Sequence, residues 1–515
     1  MINNKRAVVE TNAGKIEGDY RDGLYVFKGV PYAAPPVKEL RWLPTQPVKP
    51  WEGVRRAKAF GAIAPQNQLP GGDVIEALRI DEVQDEDCLF LNIWSPGLDN
   101  ARRPVMVWIH GGAFIIGSGS QPIHTGGLLA ARGDIVFVSI NYRLGALGFM
   151  NLREVTGGKI PAMGNEGLLD QVAALEWVRD NIAAFGGDPD NVTVFGESAG
   201  AMSIGCLMAM PVAQGKFHKA ILESGAANTV GALEDSVKIT EQYLKILDVH
   251  AGDVETMWSL TVKQLLSAQQ ELEDRMHEAE HRITPFQPVV DGITIPEMPI
   301  KAINNGSAKN IAVLAGTNLE EWKLMSMMEP DLRNLDEAGM VDRLESIIPA
   351  EHVPALIDSY RNARKRRGDA TSPIEILTAI QTDLMFRMPV VRLIEAQCNN
   401  DQPAYNYLFT WKSPVMGGIL GACHALEIGF LFGNYDDSFC GSGPEADVLS
   451  RNIQDAWLAF ARTGDPSCES IGSWIPYGER RVTMILDKEC HIEEAPYEDE
   501  RSAWDMVSME FTKPI

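Results

Sequence analysis

The 515-residue sequence predicts an α/β fold, in which helices flank both faces of a central, mostly parallel, doubly wound sheet. Three observations support this prediction. Strand-like runs alternate with helical segments along the chain. Two of these runs, at 104–109 and 135–140, are apolar on both faces, as in a sheet that is covered on each side. No linker rich in Gly, Ser or Pro divides the sequence, so we expect residues 1–515 to form a single domain.

The individual elements follow from local patterns. Short strands with a turn at Asp22-Gly23 are predicted within residues 6–32. The helix at 167–185 is amphipathic, because Leu168, Val172 and Leu175 recur at steps of four and three residues. Further strands are predicted at 89–94, 104–109, 135–140, 192–195, 220–223, 311–316, 405–411 and 482–486, and further helices at 199–210 and 448–462.

Two charged, helical stretches interrupt this alternation, at residues 225–300 and 323–400. We expect them to be insertions that cover one edge of the sheet and form the mouth of a pocket. In doubly wound sheets, sites lie beyond the carboxyl ends of the strands. The segments that follow the strands at 104–109, 192–195 and 311–316 all reach that edge.

The composition limits the classes of partner. A formal net charge of −24 argues against binding nucleic acid or an anionic membrane through general electrostatics. Residues 1–10 lack the apolar core of a signal peptide, and no apolar run reaches transmembrane length. The seven cysteines form no closely spaced ligand motif, so free thiols are expected. These features indicate a cytoplasmic protein; the oligomeric state cannot be derived from them.

The sequence G-E-S-A-G at 196–200 lies between a short strand and a helix rich in Ala and Met. A serine at such a junction must occupy a very tight turn, and glycines at 196 and 200 remove Cβ atoms that would clash there. The turn places the hydroxyl at a helix N-terminus, where backbone N–H groups favour developing negative charge. Ser198 is therefore a candidate nucleophile. The alternative is an ordinary glycine-rich turn.

A serine nucleophile needs a base, and the base needs a carboxylate that orients it. Where a serine occupies a strand-to-helix turn of this kind, the acid and then the histidine follow it along the chain. Of the nine histidines, His424 fits best, because it follows the strand at 405–411 in a loop of small residues. The acid is expected within 316–322, where Glu320 and Glu321 are both candidates. Backbone N–H groups of residues 110–113 and of Ala199 would hold the oxyanion.

These residues resemble those of the type-B carboxylesterases, a branch of the α/β-hydrolases that includes bacterial p-nitrobenzyl esterases. The motifs are E-D-C-L-F-L-N-I-W at 86–94, F-G-G-D-P-D-N-V-T-V-F-G-E-S-A-G at 185–200 and H-A-L-E-I-G-F-L-F-G at 424–433. The resemblance extends over nearly the whole chain. It implies the α/β-hydrolase fold and a serine carboxylesterase that hydrolyses small esters of short to medium acyl chains. It implies no metal and no other cofactor.

The resemblance also implies roles for individual residues. Ser198 would be the nucleophile, His424 the base, and Glu321 rather than Glu320 the acid. The implied oxyanion donors are Gly112, Ala113 and Ala199. Glu197 and Ser224 would lie beside the triad, and Ser224 would form a hydrogen bond with the acid. Arg41 and Glu86 would form a structural ion pair.

Two features depart from the family pattern. Secreted relatives pair the cysteine of the E-D-C-L motif with a cysteine in an upstream C-P-Q. Here residues 64–66 read A-P-Q, so Cys88 is expected to be free. Trp322 follows the acid where many relatives have glycine, and it is expected to pack locally.

Two other functions compete with this one. The sequence H-E-A-E-H at 277–281 matches a zinc-protease helix, in which His277 and His281 would bind Zn²⁺ and Glu278 would be the base. Its strongly charged flanks favour a chance match, since a zinc helix needs an apolar back. A carrier that used the pocket without chemistry would not need the serine, acid and histidine in this order. Candidates for the pocket lining, each of which would fit a plain core equally well, are Phe114, Phe286, Phe386, Trp411 and Met416.

Overall fold

A computed structural model describes residues 7–68, 81–280 and 284–507, and a sheet of 11 strands organises them. The described strands are β1 (Val8–Thr11), β2 (Gly14–Glu17), β3 (Asp19–Arg21), β4 (Leu24–Pro31), β5 (Val54–Arg56), β6 (Phe90–Ser95), β7 (Arg103–Ile109), β8 (Val136–Ile140), β9 (Gly187–Glu197), β10 (Lys219–Glu223), β11 (Gly231–Ala232), β12 (Val289–Val290), β13 (Ala312–Asn318), β14 (Ala404–Phe409), β15 (Val482–Leu486) and β16 (His491–Glu494).

The large sheet has the strand order β16-β15-β14-β13-β10-β9-β7-β8-β6-β4-β3. All the strands from β15 to β8 in this order run parallel to their neighbours. Antiparallel strands close both edges, with β16 on one side and β6, β4 and β3 on the other. The parallel centre confirms the predicted fold class. Two small sheets, β1-β2-β5 and β11-β12, lie outside it.

The helices alternate with the strands. Those in the described ranges are α1 (Gly127–Gly133), α2 (Gly145–Gly148), α3 (Glu166–Asn181), α4 (Ala199–Ala209), α5 (Leu233–Ile246), α6 (Val254–Ser259), α7 (Val262–Glu280), α8 (Pro299–Asn304), α9 (Trp322–Met327), α10 (Glu337–Ile347), α11 (Val353–Arg367), α12 (Pro373–Thr382), α13 (Met388–Asn399), α14 (Leu426–Phe432), α15 (Pro444–Thr463) and α16 (Glu498–Ser502). Within these ranges, no helix has both the length and the apolarity needed to cross a bilayer.

An apolar core lies on each face of the sheet. Helices α3, α4 and α13 contribute to one core, and α1, α14 and α15 contribute to the other. Strand β7 serves both, because Val105 and Val107 join the first core while Met106 and Trp108 join the second. Burial on both faces explains why this strand has a continuous apolar sequence.

The predicted elements are present, with ends displaced by a few residues. The largest difference is at β9, which begins at Gly187 because Gly187 already pairs with Arg103 across an irregularity in the register. Helix α15 begins at Pro444, since proline suits the first turn of a helix, where no N–H bond is lost. The stretch 225–300 contains α5, α6 and α7, and the stretch 323–400 contains α10 to α13, as expected for helical segments.

Candidate active site

Ser198 lies between β9 and α4 with φ 54° and ψ −124°. This conformation is costly for a residue with a Cβ, so the strand before it and the helix after it must hold it in place. The Ser198 N–H donates to the carbonyl oxygen of Glu223, in the neighbouring strand β10, at 2.9 Å. Ser198 therefore occupies a strained turn directly before the N-terminus of a buried helix.

The glycines on either side of Ser198 make room for β7. A Cβ atom on Gly196 would lie 2.5 Å from the carbonyl oxygen of Ile109, and one on Gly200 would lie 2.0 Å from the same atom. Both distances are shorter than any real Cβ contact. The prediction that glycines at 196 and 200 avoid a clash of Cβ atoms is thus confirmed.

The glycine-rich segment after β7 abuts the serine turn. A Cβ atom on Gly111 would lie 3.1 Å from the Cβ of Ser198. Gly112 and Ala113 follow with φ of 101° and 54°, which turn the backbone sharply at this point. The preceding His110 is fixed, because its ring stacks on Tyr142 with the centroids 4.4 Å apart. Burial lowers the pKa of His110 to about 4, so the ring is neutral at pH 7.

Glu321 is the carboxylate that faces His424. Its Oε2 accepts a hydrogen bond from Nδ1 of His424 at 2.7 Å, and its Oε1 accepts one from the N–H of Asn318, also at 2.7 Å. The side chain of Glu321 is fully buried. Of the two glutamates that the residue pattern left open, Glu321 is the one that contacts His424. Glu320 points elsewhere and pairs with Lys323.

Glu197 lies on the other side of the imidazole. Its Oε1 is 3.0 Å from Nε2 of His424, although the two atoms do not have hydrogen-bond geometry. Burial alone would lower the pKa of His424, but the charges of Glu197 and Glu321 outweigh burial and raise it. Burial also raises the pKa of Glu197. One imidazole between two buried carboxylates thus holds a proton more tightly than a free histidine does.

Two further buried carboxylates belong to the same cluster. Glu427, in the first turn of α14, accepts hydrogen bonds from Asn318 Nδ2 at 2.5 Å and from Ser224 Oγ at 3.3 Å. Glu223, at the end of β10, accepts one from Trp457 Nε1 at 3.0 Å. Sequence reasoning missed both. The signal for Glu427 was its place three residues after His424, in the first turn of the helix that follows the histidine loop.

The hydroxyl of Ser224 differs from its expected role. The resemblance implies a bond to the acid, whereas the structure gives Ser224 a bond to Glu427. The reason is that both carboxylate oxygens of Glu321 already have donors, from His424 and from the N–H of Asn318.

Comparison with known proteins places these features in a family. The model of the carboxylesterase family matches residues 5–504. The chain belongs to the carboxylesterase family. It is 40% identical over 501 residues to the para-nitrobenzyl esterase of Bacillus subtilis (strain 168), with 96% of this chain and 97% of the relative covered. It is 38% identical over 484 residues to the phenmedipham hydrolase of Pseudarthrobacter oxydans, with 91% of this chain and 92% of that relative covered by the alignment.

Solved structures agree with this membership. The crystal structure of the Geobacillus stearothermophilus carboxylesterase EST55 at pH 6.2 superposes with a TM-score of 0.86 at 38% identity. The match covers 97% of this chain and all of that one, 100%. The α/β-hydrolase fold of these carboxylesterases is therefore the fold of this chain.

The ion pair that the resemblance implied is present, and so are the local environments expected at the two positions that depart from the family pattern. Arg41 binds Glu86 through two bonds, Nε to Oε1 at 2.6 Å and a terminal guanidinium nitrogen to Oε2 at 2.7 Å. Cys88 is buried and free, and none of the seven cysteines, all of which the structure describes, forms a disulfide. Trp322 packs locally, 6.3 Å from Phe386 between ring centroids.

Phe386, one of the five pocket candidates, packs against the ring of His424. Its ring lies 4.7 Å from the His424 ring between centroids. It is carried by a π-helical turn, Asp383–Arg387, which lies between α12 and α13. An ion pair of 2.6 Å between Asp383 and Arg387 spans this turn. A wide helical turn of this kind is frequent at functional sites, and the sequence gives no local signal for it.

The other four candidates divide into two groups. Phe114 and Phe286 are buried, with Phe114 against Phe149 at 5.1 Å and Phe286 against Tyr243 at 5.4 Å between centroids. Trp411 is instead a core residue, since its indole donates to the carbonyl oxygen of Cys440 and its ring packs against Phe430. Met416 is 60% exposed on a left-handed turn. Trp411 and Met416 were candidates for the pocket lining that would fit a plain core equally well; the structure buries Trp411 in the core and leaves Met416 exposed.

A cavity of about 1650 Å³ opens beside the site. Residues of both insertions line it, among them Phe286, Leu384 and Met385. The triad itself does not line it. The walls nevertheless reach the neighbours of the triad, because Leu384 and Met385 directly precede Phe386, and the lining residue Phe149 packs against Phe114.

The residues of the zinc alternative lie only partly within the described part of the chain. His277 lies near the end of α7, and His281 lies outside the described residues. Across 7–68, 81–280 and 284–507, no three His, Cys, Asp or Glu side chains are grouped in a way that would hold a metal ion.

Proposed function

We propose that this protein is a serine carboxylesterase in which Ser198 is the nucleophile, His424 the general base and Glu321 the acid that orients the base. The observation that carries the proposal is the 2.7 Å hydrogen bond between His424 Nδ1 and Glu321 Oε2. That bond occupies Nδ1 and leaves Nε2, which lies 3.0 Å from Oε1 of Glu197, as the nitrogen available for chemistry. Membership of the carboxylesterase family supports the assignment.

The reaction is acyl transfer in two steps. The Ser198 hydroxyl attacks the carbonyl carbon of the ester while Nε2 of His424 takes its proton. The bond between the acyl carbon and the alcohol oxygen then breaks, and His424 gives the proton to the departing alcohol. Water attacks the acyl-enzyme by the same route, and the carboxylic acid leaves. Throughout, the N–H groups of Gly112, Ala113 and Ala199 would stabilise the oxyanion.

The buried carboxylate of Glu321 has two tasks in this scheme. It keeps the imidazole in the tautomer that presents Nε2 as an acceptor, and it stabilises the imidazolium that forms when Ser198 attacks. Because Glu321 is fully buried, its charge acts through a medium of low polarity, where such stabilisation is stronger than in water.

The insertions at 225–300 and 323–400 form the mouth of the substrate pocket in this proposal. The cavity of about 1650 Å³ between them supports this placement. Phe114, Phe286 and Phe386 would line the path from the cavity to Ser198. We propose uncharged esters of short to medium acyl chains as substrates, since the net charge of −24 disfavours the approach of anions.

We also propose that the protein works in the cytoplasm. The support is that all seven cysteines are free and that Cys88, the position paired in secreted relatives, is buried without a partner cysteine. A reducing compartment suits such a set of thiols.

The test is hydrolysis of p-nitrophenyl butyrate by the wild type and by Ser198→Ala, with excess EDTA and with a serine-directed phosphonate. Ser198→Ala is expected to lower kcat by roughly 10³-fold or more. Wild-type activity should survive EDTA and disappear when one phosphonate binds Ser198. A matched control is Ser203→Ala, which removes another buried hydroxyl of α4, one that accepts a bond from Gln171 at 3.1 Å. Near-wild-type turnover by a folded Ser198→Ala protein would end the proposal.

A further inference from the structure

Two separate segments carry the acid and the base, and they are joined by a set of backbone contacts. The N–H of Glu320 donates to the carbonyl oxygen of Ala422 at 2.9 Å, and the N–H of His424 donates to that of Glu321 at 3.3 Å. Asn318 Nδ2 donates to the carbonyl oxygen of Cys423 at 2.7 Å. The turn after β13 therefore determines where the histidine loop lies.

Glu320 adds a side-chain bond to this junction. Its Oε2 accepts a hydrogen bond from the N–H of Ala422 at 3.0 Å. Residue 320 thus holds residue 422 twice, through its own N–H and through its carboxylate. Gly421 passes directly over the same carboxylate, since a Cβ atom there would lie 2.1 Å from Oε2 of Glu320.

The histidine loop needs such an anchor because its own backbone does little to fix it. Gly417, Gly418 and Gly421 have positive φ values of 72°, 87° and 55°, and Ala425, directly after His424, has a φ of 64°. A glycine-rich chain in these conformations loses much conformational freedom when it becomes ordered. Hydrogen bonds from residues outside the loop must therefore compensate for this loss of conformational entropy.

The Glu320 carboxylate is held in turn by the second insertion. Its Oε1 lies 2.7 Å from Nζ of Lys323, and Lys323 lies 3.6 Å from Glu375, which pairs with Arg364 at 3.1 Å. Only 14% of the Glu320 side chain is exposed. Burial alone would raise the pKa of Glu320, but Lys323 and the N–H of Ala422 outweigh it and lower the pKa. The carboxylate is therefore ionised at neutral pH and accepts from Ala422 as a charged acceptor.

We propose that Glu320 is a positioning residue, which fixes the loop of His424 so that the imidazole keeps its place between Glu321 and Ser198. This inference rests on the proposed function, in which His424 is the base. Glu320 does not touch the reacting atoms, and it acts through Ala422. In the sequence, Glu320 and Glu321 were both candidates for the acid. Their contacts now indicate different roles, because Glu321 contacts His424 and Glu320 contacts Ala422.

The test compares Glu320→Ala and Glu320→Gln with the wild type in kcat, KM and the pH dependence of kcat/KM for p-nitrophenyl butyrate. Glu320→Ala is expected to lower kcat by roughly 10- to 100-fold with little change in KM, because a small misplacement of a catalytic group is costly. Glu320→Gln keeps an oxygen for Ala422 and should lose only about threefold, since a neutral acceptor is weaker than a charged one. The acid limb of Glu320→Ala should move to lower pH, because a displaced His424 loses part of the attraction of its carboxylates.

Glu329→Ala is the matched control. It breaks an ion pair of similar exposure in the same insertion, with Arg343 at 2.6 Å, but it does not touch the histidine loop. Its kcat and acid limb should equal those of the wild type. Wild-type kinetics in Glu320→Ala would overturn the inference. A loss of activity that follows a lower melting temperature, with an unshifted acid limb, would also overturn it, since that pattern describes a structural residue. Ser198→Ala in the same assay tests the proposed function separately, because its activity does not depend on what Glu320 does.

Discussion

The proposed nucleophile, Ser198, and the proposed base, His424, are held by different kinds of structure. Ser198 lies between β9 and α4, within one continuous stretch of chain, and its backbone is fixed by β10 on one side and by the end of β7 on the other. His424 lies in a loop, and its partner Glu321 comes from a turn 103 residues earlier. Hydrogen bonds from Asn318 and Glu320, rather than a strand or a helix, join these two segments.

The two regions should therefore differ in how they respond to mutation and to pH. On the nucleophile side, which is the turn around Ser198, the backbone at Gly196 and Gly200 packs directly against the backbone of Ile109. There is no room there for one additional methyl group. The base side is a set of polar and ionisable side chains, whose strength depends on charge and therefore on pH. Changes on the nucleophile side should destabilise the fold, whereas changes on the base side should alter the pH dependence of activity and of stability.

The sharpest test of the rigid side is Gly200→Ala. The added Cβ would lie 2.0 Å from the carbonyl oxygen of Ile109 and 3.0 Å from that of His110, and neither backbone segment can move without disturbing the sheet. We expect a loss of about 3 kcal/mol in the free energy of unfolding, the upper range for overpacking, together with loss of esterase activity. Chemical denaturation and the p-nitrophenyl butyrate assay measure the two effects.

Gly127→Ala is the control for this prediction. Gly127 is the first residue of α1, and the atom nearest to an added Cβ would be 3.6 Å away, an ordinary contact. Alanine should leave activity unchanged and stabilise the protein by up to about 1 kcal/mol. If Gly200→Ala were as stable as Gly127→Ala, the description of the nucleophile side as rigid would be wrong.

The same contrast explains what could be predicted from the sequence. The nucleophile side is encoded locally, because a strand, two glycines around a serine and a helix follow one another within 187–209. The fold class, the order of the strands along the chain and the catalytic turn were all accessible from that kind of pattern. The end of β9 nearest Arg103 was not, because it depends on pairing with a distant strand.

The base side shows where local patterns end. Glu320 and Glu321 are adjacent and chemically identical, and only the path of the histidine loop decides which of them meets His424. The bond of Ser224 to Glu427 and the contact of Phe386 with His424 also arise from long-range packing. Trp411 and Met416 lie near His424 in sequence, yet one is core and the other is exposed. Side-chain direction after a strand end cannot be derived from composition.

The junction of the two sides is the contact between Glu197 and His424, 3.0 Å apart. Activity requires neutral His424, so it should rise with pH through the pKa of this imidazole. The charges of Glu197 and Glu321 raise that pKa, and the acid limb of kcat/KM should therefore lie above the ordinary histidine value. Glu197→Gln removes one of the two charges. We expect its acid limb to move to lower pH by about one unit.

A carboxylate removed elsewhere serves as the control. Glu493 lies 3.0 Å from the exposed His491, outside the site, and Glu493→Gln should leave the acid limb where it is in the wild type. An unshifted limb in Glu197→Gln would mean that Glu197 carries no charge while His424 titrates, and the influence on the base would then come from Glu321 alone.

The smallest effect is expected at Glu427, which tests whether the base side carries a cost in stability. Burial, together with the charge of Glu321, raises the pKa of Glu427 to about 7. A carboxyl whose folded-state pKa is raised stabilises the fold below its unfolded pKa of about 4.3, and this contribution is lost as the pH rises through 7. Glu427→Gln keeps an oxygen for Asn318 or Ser224 but never ionises. The stability of the variant relative to the wild type should therefore increase as the pH rises from 5 to 7, and it should level off above pH 7. The melting temperatures of both proteins at pH 5 and pH 8 test this prediction. If the difference between the two proteins stayed constant from pH 5 to pH 8, the Glu427 carboxylate would be ionised in the folded protein without a cost in stability. The base side would then be no less stable than the nucleophile side.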